Sequence, residues 1–175
     1  RGYVGAYFYK NNNYVTLKTS CFDGKFSQSY VKCVEGDLDI DSCYMQEEVS
    51  DSTPKGVMYV GNPKYPPYAV GSIKYSAILN YSDEGVYCNY GDPDLGAGHN
   101  SIYSRDGDGN LRTAIYASGL MFVNAKNNWW GTAERDTLEN LFIGPVLWEP
   151  YDTLPPSIYT ACTEFGGPAR IVSAT

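Results

Sequence analysis

The chain has 175 residues, of which 43% are hydrophobic and 15% aromatic, enough apolar material for one core of ordinary domain size. Its 13 Lys and Arg against 20 Asp and Glu give a formal net charge of −7, and no basic cluster is present to serve nucleic acid or an anionic membrane surface. With a mean hydropathy of −0.36 and no apolar run near the length of a bilayer, no membrane span is expected.

The chain opens on Arg1 with no charged segment leading into an apolar one, and reads as a processed product or as part of something longer. Seventeen Tyr, 18 Gly and 10 Pro with only 19% charge point to a loop-rich β protein of the kind that is secreted. Its five cysteines, Cys21, Cys33, Cys43, Cys88 and Cys162, form no CxxC pair, so neither a zinc knuckle nor haem attachment is indicated. The odd count leaves at least one thiol free or bonded to another chain.

One template recurs along the sequence, with apolar or small residues at offsets 0, +2, +5 and +7. It fits Val15, Leu17, Ser20 and Phe22, and then Leu38, Ile40, Cys43 and Met45. It fits again at Leu95, Ala97, Asn100 and Ile102, and at Val123, Ala125, Asn128 and Trp130. A further copy lies within residues 70–80, VGSIKYSAILN, where two registers fit.

Offsets 0 and +2 share one face of an extended segment, and the three-residue step to +5 turns the chain while keeping +5 and +7 inward. At +5, Asn or Ser can bond the backbone or the same position of the next repeat. Such a unit cannot bury its apolar side alone and must stack at about 4.8 Å, which predicts an all-β, parallel β-helix (solenoid) of about five to six coils. The remaining strand of each coil comes from segments such as GAYFY, GVMYV, GVYCNY and TAIYASG, while GNPKYPPYAVG and GDPDLGAG are expected to protrude as loops. The single helix-like stretch is Thr132 to Phe142.

On LDIDSCYM, AIYASGLMFVNAKNNWWGT and IGPVLWEPY the chain resembles the right-handed parallel β-helix repeat proteins, the broad pectate-lyase-like class. The NAKNNWWG and VLWEPY segments look like the C-terminal closure of large secreted bacterial members, with Trp129 and Trp130 covering the last coil. The resemblance implies a β-helix domain over 1–151 and a tail or linker over 152–175, in an extracellular or cell-surface protein.

Three constellations are candidates for chemistry. Asp37, Asp39 and Asp41 fall on the outer face, about 7 Å apart, a spacing that suits calcium or an acid and base pair across a sugar. A solvated face is the competing reading, because Lys18 and Asp41 share offset +3 and would pair laterally. Asp106, Asp108 and Asn110 alternate as in calcium loops, yet position twelve is Ala117, which excludes an EF-hand and leaves a plain turn as the alternative. Tyrosines crowd the middle of the chain, and Tyr65, Tyr68, Tyr81 and Tyr90 are the candidates to stack on sugar rings, with a cover over the solenoid flank as the competing reading. His99, the only histidine, has no Ser or Cys partner that would make a nucleophilic triad.

The expectation for function is therefore an extracellular structural or adhesive solenoid module without catalysis and without a cofactor, calcium aside, touching polysaccharide and associating end to end or with upstream coils. The alternative is a polysaccharide lyase or glycoside hydrolase fragment acting through Asp37, Asp39 or Asp41.

Overall fold

The computed structural model describes residues 4–10, 14–47, 54–64, 69–119 and 122–158. Its strands form parallel sheets stacked as a β-solenoid of five coils and a partial sixth. Sheet 1 is six-stranded, in the order β1 (Val4–Tyr9), β4 (Ser29–Val34), β7 (Lys55–Val60), β10 (Val86–Asn89), β13 (Ile115–Ser118) and β15 (Phe142–Ile143). Sheet 2 holds β2 (Val15–Lys18), β5 (Leu38–Asp41), β8 (Ala69–Lys74) and β11 (Gly91–Asp94). Sheet 3 holds β3 (Cys21–Gly24), β6 (Tyr44–Glu47), β9 (Ala77–Leu79) and β12 (Ser101–Tyr103). A two-stranded pair, β14 (Val123–Asn124) with β16 (Val146–Leu147), completes the C-terminal end.

The repeat template lands on sheets 2 and 3. Val15 pairs Leu38, Leu17 pairs Ile40, Phe22 pairs Met45, and Met45 continues to Ile78 and Ile102. In the third coil Ile40 aligns with Ile73, which selects the register Gly71, Ile73, Ser76, Ile78. Gly71 is required there, since a Cβ would lie 1.9 Å from the Leu38 carbonyl and φ is +137°. The fourth coil departs from the template: Leu95 is buried but Ala97 is exposed, because the turn at 95–98 adds residues between β11 and the corner.

Residue +4 of each copy turns the corner in the left-handed region, with φ between 45° and 56° at Thr19, Ser42, Tyr75, His99 and Asn127. Residue +5 then points inward, where its polar atoms need partners. Those partners are supplied from coil to coil. The Cys43 amide donates to Ser76 Oγ (3.0 Å), the Ser76 amide to Asn100 Oδ1 (2.9 Å), and the Asn100 amide to Asn128 Oδ1 (2.9 Å). Asn100 Nδ2 also donates to Asn128 Oδ1 and to the Ile73 carbonyl, at 2.9 and 2.7 Å. The Asn128 amide group in turn reaches the carbonyls of Ala125 and Lys126, both at 2.8 Å.

Two sequence expectations change. GDPDLGAG is not a protruding loop throughout, since Gly91–Asp94 is strand β11; Pro93 is tolerated because β11 is the edge strand of sheet 2. The expected helix shrinks to α1, Arg135–Leu138, whose Leu138 is buried against the last coil. Beyond it, Trp130 meets Phe142 edge-on at 5.0 Å, and Phe142 stacks on Trp148 at 5.3 Å. At this end β13 also pairs with β15 and β14 with β16. Among the described residues no helix is long and apolar enough to cross a membrane.

Candidate functional site

In sheet 1, period-2 alternation sends Ala6, Val31, Cys33, Val57, Tyr59, Val86, Cys88 and Ile115 into the core. The intervening residues form two outward rows that run along the solenoid axis. The first is Tyr7, Lys32, Met58, Tyr87, Tyr116 and Ile143. The second is Tyr9, Val34, Val60, Asn89 and Ser118.

Rings dominate this face. Tyr7 and Tyr9 are 55% and 56% exposed and lie nearly parallel, with centroids 6.3 Å apart. Tyr87 and Tyr116 stack at 5.1 Å. Lys32 lies over Tyr7 and Lys10 over Tyr9, at 5.7 and 5.4 Å from the ring centres. At the other margin Lys55 sits over Tyr87 at 4.7 Å and pairs with both Asp83 and Glu84. Burial raises the Glu84 carboxyl above its ordinary range, an effect that Lys55 only partly offsets. Burial likewise raises the Tyr87 phenol, with the neighbouring Tyr116 adding to it. The face thus presents amphipathic ring surface with little charge.

The other predicted residues fare differently. Tyr81 is 1% exposed and belongs to the core, so the expectation that it meets a ligand is corrected: its ring is already covered by neighbouring coils. Tyr90 is 37% exposed at a corner with φ 51°. Tyr65 and Tyr68 lie outside the described residues.

Asp39 and Asp41 do point outward from β5, but the neighbouring coils hold them. Asp39 accepts hydrogen bonds from the Tyr14 hydroxyl and from Ser72 Oγ (2.7 Å). Asp41 lies 3.7 Å from both Lys18 and Lys74, which makes the expected lateral ion pair a bridge across three coils, and it also accepts from Ser42 Oγ (2.9 Å). Asp37 bridges to Val70 of the next coil through its backbone. This arrangement is a lateral tie between strands rather than an acid and base pair facing an open groove.

The 106–110 loop is likewise explained by its own hydrogen bonds. Asp106 Oδ1 accepts from the amides of Asp108 (3.0 Å) and Asn110 (2.9 Å), and its Oδ2 accepts from Asn110 Nδ2 (3.3 Å). The carboxyl is held below its ordinary range by the Asn110 backbone bond. Arg105 Nη1 donates to the Gly109 carbonyl at 2.7 Å, a further bond that closes the turn. The expectation of a cation at Asp106, Asp108 and Asn110 gives way to a turn, and among the described residues no group of three or more His, Cys, Asp or Glu is placed to hold a metal.

His99 Nδ1 and Asp152 Oδ2 lie 3.0 Å apart, joining the fourth coil to the segment after the last strand. Cys33, Cys43 and Cys88 are buried free thiols, and burial pushes Cys33 up to about 11, so none is poised as a nucleophile. Cys21 is disulfide-bonded. The exposed pair Tyr7 and Tyr9 lies outside the tyrosine-rich middle of the chain, and the period-2 spacing of GAYFY is the sequence signal that sets both on one face.

No protein family, curated protein or solved structure matches the chain.

Proposed function

We propose that this chain is an extracellular β-solenoid module of the pectate-lyase-like kind, structural or adhesive rather than catalytic, which holds a polysaccharide on the outer face of sheet 1. The observation that carries this reading is the pair of exposed, near-parallel rings of Tyr7 and Tyr9, with Tyr87 and Tyr116 further along the Tyr7 row. The bond at Cys21 supports an oxidising compartment. The engagement of Asp39 and Asp41 with neighbouring coils weighs against the lyase or hydrolase alternative.

Strands β1, β2 and β3 each have one hydrogen-bonded neighbour among the described residues, so coil 1 is where a further coil, from upstream or from a second copy, would add. A head-to-tail fibre would need both ends open, and rings pack over the last coil. Light scattering should therefore show a species of fixed size across concentration.

Retention on a panel of immobilised polysaccharides tests the main reading. The chain is expected to be retained without releasing reducing ends, and Tyr7→Ala with Tyr9→Ala to abolish retention. Release of reducing ends that stops with Asp39→Asn would establish the enzyme instead.

A further inference from the structure

We infer that the polysaccharide held by sheet 1 is an uncharged one, an inference that rests on the glycan-binding reading above and narrows it. Of the outward side chains in the two rows of this face, only Lys32 is charged. The cations at its margins are already answered: Lys10 lies 3.6 Å from Glu35, and Lys55 is held by Asp83 and Glu84.

A uronate or sulfated chain carries a charge on each repeat and needs several unpaired Lys or Arg along its path. This face offers one, on a chain whose net charge is −7 and which repels polyanions at long range. It supplies instead the half-exposed rings of Tyr7 and Tyr9 and polar, uncharged groups at Asn89 and Ser118, where Ser118 Oγ donates to Asn89 Oδ1 at 3.0 Å. Rings and amides of this kind meet the C–H faces and hydroxyls of neutral sugars.

Size argues against a second copy of the chain as occupant. Six strands at about 4.8 Å, each of two to six residues at about 3.3 Å, make a face of about 400 Å². A stable protein partner needs about 800 Å² on each side. A row of about 24 Å along the axis accommodates several sugar rings end to end.

The test is affinity electrophoresis of the full chain at low ionic strength, where attraction to a polyanion is strongest. The probes are a panel of neutral glucans, mannans and galactans, polygalacturonate, and the same polygalacturonate fully methyl-esterified. Neutral probes are expected to retard the chain and polygalacturonate to leave it unretarded, with the methyl ester binding at least tenfold more tightly than the free acid. Tyr7→Ala with Tyr9→Ala should weaken binding at least tenfold. Tighter binding to the free acid, lost with salt and with Lys32→Ala, would overturn the uncharged ligand while leaving the glycan reading intact. Failure of every probe to bind would overturn the glycan reading and this inference with it. Both tyrosines are exposed, and an unchanged melting temperature confirms that the variants fold.

Discussion

The outer faces of sheets 1 and 2 share the same coils and strand spacing, yet their chemistry is opposite. On sheet 2, Lys18, Asp41 and Lys74 form one cross-coil tie, while Asp39 takes Tyr14 and Ser72 and Asp94 takes Asn124 Nδ2 at 2.9 Å. On sheet 1 the corresponding positions hold Tyr7, Met58, Tyr87, Tyr116 and Ile143 with a single lysine. Inward residues are constrained by the stack, whereas outward ones are free to vary. One outward face carries most of the ties that hold coils together and the other carries exposed ring surface.

The largest expected effect comes from breaking what both faces share, the buried corner. Asn128→Ala strands the Asn100 amide and leaves the carbonyls of Ala125 and Lys126 without their side-chain donor. At about 1–3 kcal/mol for a buried polar group left without a partner, the loss should be about 3 kcal/mol. A melting temperature lower by about 10 °C is the corresponding outcome in a thermal circular dichroism scan. A change under about 2 °C would mean that the ladder is not what anchors the coils.

Asp39→Asn separates the two faces. It removes the charged acceptor for Tyr14 and Ser72, at a cost of about 1 kcal/mol at a partly exposed site. Polysaccharide retention should not change, because Asp39 lies on sheet 2. Loss of retention at unchanged stability would move the ligand to the acidic face and undo the contrast.

How much of this was legible follows the same division. The inward period was readable because apolar residues at 0, +2 and +7 and a small polar residue at +5 must repeat wherever coils stack, as Leu17, Ile40 and Ile73 do. It failed at Ala97, where extra residues at 95–98 shift the strand relative to the corner, and local spacing does not register such a shift. The Lys18 and Asp41 pairing was readable from shared offsets. The fate of Tyr81 was not: tyrosine is amphipathic, and its sequence neighbours Asn80 and Ser82 suggest exposure, whereas the ring is enclosed by other coils. Tyr7 and Tyr9 precede the first copy of the template, so the repeat carries no information about them.

The smallest effect lies on sheet 2 at Asp92, a carboxylate that neighbouring coils do not tie as they tie Asp39. Burial raises its carboxyl above the ordinary range, and the nearby Asp94 adds to the shift. A raised carboxyl pKa means that the folded chain holds its proton at a pH where the unfolded chain has released it. The group therefore favours folding below the ordinary carboxylate pKa and loses that contribution as pH rises through the folded value. Asp92→Asn should then stabilise the chain at neutral pH by a few tenths of a kcal/mol, a small value because the site is largely solvated. The gain should shrink to nothing as pH falls below about 4, where Asp92 is protonated in both states. Urea midpoints of the two proteins measured from pH 3 to 7 check this, and a variant less stable at pH 7 would show that Asp92, like Asp39, ties coils together.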